Sequence, residues 1–324
     1  MTNRRSLCSS LLTYGLAPHL LAQARPKLVG VLYPWNSEGA EKLAATLVEE
    51  LRVLGYQSGK HFNIVVRAAE GRNERLPELA RELVKINTDV FVAATTNAAS
   101  AAQLATRTIP IVFYSVAEPV KSGFADSLAH PGHNMTGVSN AGTSLDPKRL
   151  DLMKQMVPGL QRVAYLLNPT SPFYRGADKT YHALAESLGL RALIVNAGKA
   201  EDLEPAFREI KALHAQALVV MGDTYLFTLF EPIAVLANRN RLPSMASFAA
   251  FAAAGGLMAY ATSIDDVNRQ VAAYVAKIFR NAKPEDIPIS EPTRFEFVIN
   301  RKTADLLKVM IPPTILLQAT RVLE

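Results

Sequence analysis

From residue 27 onward, short apolar runs alternate with amphipathic stretches, and no other feature of the sequence constrains the fold as tightly. KLVGVLYP, NIVVRAA, DVFVAAT and IPIVFYSV read as strands. Between them lie EGAEKLAATLVEELRVLG, with Leu43, Leu47, Leu51 and Leu54 on one stripe, then RLPELARELVKIN, with its proline near the start, and NAASAAQLATRT. Strands apolar along their whole length are buried on both faces, and a strand–helix–strand succession builds a parallel sheet covered by helices on each side.

The pattern then restarts. PKRLDLMKQMVPG, PFYRGADKTYHALAESLG, EDLEPAFREIKALH, YLFTLFEPIAVLANRN and IDDVNRQVAAYVAKIFRNA read as helices, and RVAYLLNP, RALIVNA, ALVVMGD, LPSMASF, GLMAYATS and RFEFVIN as strands. A short helix and IPPTILLQATRVLE close the chain. The expected fold class is α/β: two doubly wound parallel-sheet lobes joined by a three-crossing hinge, with crossings near residues 137, 260 and 294. The expected lobes are 27–139 with 260–290, and 140–259 with 291–324. A chain of 324 residues is long enough for two such cores.

Composition narrows the function classes. Hydrophobic residues make up 49% of the chain and charged ones 20%, as in a globular protein. The formal charge of +6 is scattered, with no Lys/Arg run of the kind that binds nucleic acid. Arg4 and Arg5, the apolar SLCSSLLTYGLAPHLLA, and small Ala22 and Ala24 form the three-part pattern of a secretory signal over residues 1–24. Its removal takes away Cys8, the only cysteine, which suits an oxidising compartment. No other stretch reaches the length of a membrane span. GxGxxG, P-loop, GxSxG and HExxH motifs are all missing, so the expectation is a protein that is not an enzyme and holds no cofactor. His130 and His133 are separated by a Pro-Gly turn, and no cysteine or acidic cluster completes a metal set.

In open α/β sheets, ligands sit beyond the carboxyl ends of the strands. Those ends carry Tyr33 and Trp35 (the only tryptophan), Thr95, Thr96 and Asn97, then Ser115, Ala117 and Glu118. In the second unit they carry Asn168, Asp223, Phe248 and Tyr260. Thr95–Asn97 could cap the following helix or, with its free N–H groups, hold a small anion. Hydroxyls at a helix start suit a carboxylate, Asp223 or Glu118 an ammonium, and the aromatics a ring. A helix terminus offers an anion about 0.3–2 kcal/mol, whereas burying a ring of ~150 Å² offers roughly 4 kcal/mol. The ring would then supply much of the affinity and the charged end would fix orientation.

LGYQSGK, AEGRNERLPELARELV, TIPIVFYSVAEPVKSGFADSLAHPGHNMTGVSN, PKRLDLMKQMVPG, VAYLLNP, AAGGLMAY and FEFVINRKTADLLKVMIPPTILLQATRVLE follow one another over nearly the whole chain from residue 28. That succession resembles the ABC-transporter substrate-binding protein family whose better-known members take up tryptophan and tyrosine. The resemblance implies a type I periplasmic-binding fold, a small ligand in the interlobe cleft, hinge closure, delivery to an inner-membrane permease, a periplasmic location and a monomer. It gives Thr95, Thr96 and Asn97 to a carboxylate and Asp223 to an ammonium. SVAEPV matches a stretch that usually reads Asp-Pro-Val, with Glu118 in the aspartate's place. The same module could instead present ligand occupancy to a membrane receptor.

Overall fold

The structure, a computed structural model, describes residues 25–140, 142–171 and 178–324. The expected signal segment and the opening of the PFYRGAD helix lie outside the described residues.

The first unit runs β1 (Lys27–Tyr33), α1 (Ser37–Val53), β2 (Phe62–Ala68), α2 (Leu76–Lys85), β3 (Val90–Ala94), α3 (Thr95–Ala105), β4 (Ile111–Val116) and β5 (Met135–Ser139). Its strands form a parallel sheet in the order β2-β1-β3-β4-β5. The second unit runs α4 (Asp146–Met156), β6 (Arg162–Leu167), α5 (Asp178–Ser187), β7 (Arg191–Asn196), α6 (Leu203–Ala212), β8 (Ala217–Val220), α7 (Thr224–Thr228), α8 (Phe230–Arg239), β9 (Ser244–Ala246), α9 (Ala250–Ala253) and β10 (Met258–Thr262). Then come α10 (Ile264–Phe279), β11 (Phe295–Asn300), α11 (Arg301–Leu307), α12 (Pro313–Gln318) and β12 (Arg321–Leu323). The second sheet has the order β12-β11-β10-β9-β8-β6-β7, parallel except where β10 meets β11. The expected fold class is the one observed.

Each sheet is buried on both faces, as its unbroken apolar strands require. On the first, Leu43, Leu47 and Leu51 of α1 join Val267, Val271 and Val275 of α10 over Val29, Val31, Val92 and Val112. On its other face Leu76, Leu79 and Leu83 of α2 and the alanines of α3 cover Leu32, Phe91, Ala93 and Phe113. Alanine lets α3 lie close to the sheet, at the cost of a smaller apolar area per residue. The second sheet is covered by α4 and α5 on one face, and by α6, α7 and α8 on the other.

The chain crosses between the sheets three times, after β5, after β10 and on the way into β11. The crossings lie side by side: Ser139 N donates to Ser290 O, Thr262 Oγ1 to Asn140 O, and Ser263 N to Arg294 O. Three local expectations need correction. Residues 135–139 form the edge strand of the first sheet, where only a crossing was expected. Tyr260–Thr262, expected in the first lobe, pair with β11 in the second sheet, and the passage back comes at Ser263. The helical stretch from 225 to 240 breaks at Leu229 into α7 and α8.

Candidate functional site

The carboxyl ends of the two sheets face each other across a cavity of about 510 Å³, inside the size range of small-molecule sites. Residues from both units line it. Of the residues singled out in the sequence, Tyr33, Trp35, Thr95, Thr96, Asn97, Ser115, Ala117, Glu118, Asp223 and Phe248 are on its wall. Asn168 and Tyr260 are not.

On the first unit's side the key element is the start of α3. Its cap residue is Ala94, and no side chain caps it. The capping reading of the Thr-Thr-Asn cluster is therefore wrong, because none of the three side chains accepts from an N–H of the first turn. Thr96 Oγ1 accepts from Ala117 N at 3.2 Å, tying α3 to the loop after β4. Asn97 Nδ2 donates to Thr224 Oγ1 of the second unit at 3.3 Å. Thr95 Oγ1 is buried and makes no hydrogen bond. Thr95, Ser115 and Glu118 have φ of +77°, +58° and +45°. A non-glycine residue held there carries strain of order 1–3 kcal/mol, and such residues concentrate at functional sites. Glu118 pairs with Lys121 at 3.1 Å.

The second unit handles the corresponding turn differently. Asp223 caps α7, its Oδ1 accepting from Tyr225 N at 2.9 Å and Leu226 N at 3.1 Å. The same oxygen accepts from Asn168 Nδ2 at 3.0 Å, while Asn168 Oδ1 accepts from the backbone and hydroxyl of Thr170. Asn168 is thus buried behind the wall and positions Asp223. Asp223 Oδ2 stays outside these three bonds. Gly222 lets the strand end pass Ser247, whose Oγ would stand 2.6 Å from any Cβ placed there.

Aromatic rings join the two sides. Trp35 lies 4.2 Å from Phe227 and 6.4 Å from Phe248, centroid to centroid, and its Nε1 donates to Thr224 O at 2.9 Å. Tyr33 meets Trp35 edge to face at 5.2 Å, and burial pushes its phenol up to about 12. Tyr260 turns away. Strand side chains alternate between faces, so Ala261 lines the cavity while the Tyr260 ring packs on Phe295 and Phe297.

The sequence reading missed Phe227, Asp146 and Arg149. Phe227 sits in a helical run where an aromatic looks like core. Asp146 and Arg149 fall on the buried stripe of α4 with Leu150, Met153 and Met156. Charged residues on an apolar stripe were the available signal. Arg149 Nη1 donates to Asp146 Oδ1 at 2.6 Å and Nε to Tyr260 O at 2.8 Å. Burial pushes the Asp146 carboxyl above its usual range, against the pull of Arg149 and a hydrogen bond from Tyr181.

His133 pairs with Asp126 at 3.2 Å on the surface, and among the described residues no three His, Cys, Asp or Glu side chains gather as a metal site. No helix among the described residues is long and apolar enough to cross a membrane.

Comparison with known proteins gives a consistent result. The model of a family described as ABC transporter substrate binding protein matches residues 28–323. A tyrosine-binding protein of Clostridioides difficile is 22% identical over 283 residues, covering 87% of this chain and 81% of that protein. A solved conserved domain protein of Vibrio cholerae is 25% identical, with a TM-score of 0.84 over 92% of this chain and 100% of its own. The ABC domain from Streptococcus pneumoniae, solved in complex with L-Trp, is 21% identical with a TM-score of 0.84 over the same shares. The two-lobed arrangement is the type I periplasmic-binding fold.

Proposed function

Because the chain belongs to the ABC transporter substrate-binding protein family, we propose that it is the exported solute receptor of an importer, binding an amino acid or aromatic carboxylate between its lobes. The observation that carries this reading is the α3 start: a helix terminus with no side-chain cap and with the Thr95 hydroxyl unpartnered, on the wall of a cavity that Trp35, Phe227 and Phe248 also line. Free N–H groups and the positive end of the helix dipole suit a carboxylate. Asp223 Oδ2 receives the ammonium, and Trp35, Phe227 and Phe248 flank the ring.

Closure follows from two-sided contact. A solute that touches α3 from one lobe and the α7 turn from the other binds the closed arrangement better and shifts the population towards it. Export rests on the residue 1–24 pattern, and the permease partner on the family. The protein transforms nothing: it hands an unchanged solute to the membrane complex, as a monomer that needs no cofactor.

A thermal-shift screen of residues 25–324 against amino acids, aromatic acids and small amides tests this. A solute at 100 times its dissociation constant adds about 2.7 kcal/mol of stability. Hits among aromatic amino acids are expected. Hits confined to solutes without a carboxylate would remove the role given to α3.

A further inference from the structure

Arg149 is 5% exposed and Asp146 4%, yet both are on the cavity wall. A guanidinium offers five N–H donors. Here Nε is spent on Tyr260 O and Nη1 on Asp146 Oδ1, and Nη2 enters neither bond. A buried ion pair holds structure no better than apolar residues of similar volume, because desolvation offsets the attraction. Leu150 and Met153 on the same stripe show that α4 needs no charges to pack on the second sheet. The other charges of the cavity are committed or peripheral. Glu118 is paired with Lys121, Asp223 caps α7 through Oδ1, and Lys42 and Asp265 are exposed. Among the described residues, Arg149 is therefore the one buried cation on the wall. It belongs to the second unit, across from the α3 start, beside the β10 crossing whose carbonyl it grips.

We propose that Arg149, held in place by Asp146 and Tyr260 O, is a selectivity subsite for a second anionic oxygen group on the solute. The cavity then has two positive poles, the α3 start on one lobe and Arg149 on the other, and its preferred solute is a two-headed acid with a ring between the heads. Asp146 acts as a positioning residue, bonding the Nη1 edge of the guanidinium and leaving Nη2 for the solute. This rests on the solute-receptor reading above.

The test is calorimetry with four probes: 3-phenylpropionate, 3-(4-carboxyphenyl)propionate, L-phenylalanine and 4-carboxy-L-phenylalanine. Each para-carboxylate is expected to bind the wild type at least tenfold more tightly than its partner lacking that group. Replacing Arg149 alone would strand a buried carboxylate, so the variant is the neutral pair Asp146→Asn with Arg149→Met, its folding checked by thermal unfolding. In it the preference should vanish while the single-headed acids bind as before. Equal binding of paired probes by the wild type, or a preference that survives in the variant, would overturn the subsite and leave the receptor reading intact. Equal losses for all four probes would make Arg149 the primary carboxylate anchor and overturn the two-pole assignment. Binding of none of them by the wild type would overturn both readings together.

Discussion

The turns from β3 into α3 and from β8 into α7 both carry a parallel strand into a helix at the edge of the same cavity, yet they treat the helix's first N–H groups in opposite ways. Asp223 fills the α7 start from within the chain, and Asn168 steadies it from behind. At α3 the cap is Ala94, and the hydroxyl nearest the start, on Thr95, has no partner. One turn is complete as folded, and the other is left with donors to satisfy. The first is a structural device set on the cavity wall. The second carries strain at Thr95, as expected where backbone is shaped for a ligand rather than for stability.

The largest effect that would sharpen the contrast is on stability. Asp223→Ala removes a cap, worth about 1 kcal/mol, and strands the buried Asn168 amide, at about 1–3 kcal/mol. Chemical denaturation should show a loss of about 2–4 kcal/mol. A loss under 0.5 kcal/mol would mean that the α7 start does not depend on its cap. Thr95→Ala should behave in the opposite way, leaving stability nearly unchanged because no bond is lost. It should weaken carboxylate binding by about 1 kcal/mol, the worth of a typical hydrogen bond, as read by calorimetry. Thr95→Gly, which suits a positive φ, should hold stability or raise it by up to ~1 kcal/mol.

A third change acts between the lobes. Trp35→Phe keeps a ring against Phe227 but loses the Nε1 bond to Thr224 O. At about 1 kcal/mol the ligand-free ratio of closed to open molecules should fall about fivefold, measured as a distance between labels on the two lobes. An unchanged distance distribution would show that the bond follows closure without favouring it.

The last effect is absent at neutral pH and appears only in alkaline solution. Burial raises the Tyr33 phenol to about 12 in the folded chain, above the ordinary value near 10. The folded state therefore favours the neutral phenol. The stability it contributes is complete below about pH 10 and is lost as the pH climbs towards about 12. Tyr33→Phe should flatten that part of the alkaline stability profile. Tyr114 and Tyr165 are pushed up by the same cause and will keep the rest of the decline.

The fold was legible because unbroken apolar runs mark the strands of both sheets and apolar stripes of period 3.6 mark the helices between them. Only short or mixed stretches escaped: MTGVS is too small and polar to announce a strand, yet its pairing with Ile111–Val116 makes it one. Ten of the twelve residues singled out at the strand ends do line the cavity, since strand carboxyl ends can be counted off the sequence. The failures have physical reasons. Tyr260 was misplaced because one residue of register decides which face a side chain takes. Asn168 was misplaced because its amide is consumed by Asp223 and Thr170. Asp146 and Arg149 were missed because a helix outside the strand ends supplies them, and their signal is two charges inside an apolar stripe.

In the proposed complex the solute's carboxylate completes the α3 start. Calorimetry of L-tyrosine against L-tyrosinamide at about pH 6, where both amines stay protonated, tests this, since the pair then shares ring and ammonium and differs only in that charge. L-tyrosine is expected to bind at least tenfold more tightly, with the difference shrinking in Thr95→Ala. Equal affinity for the acid and the amide would contradict it.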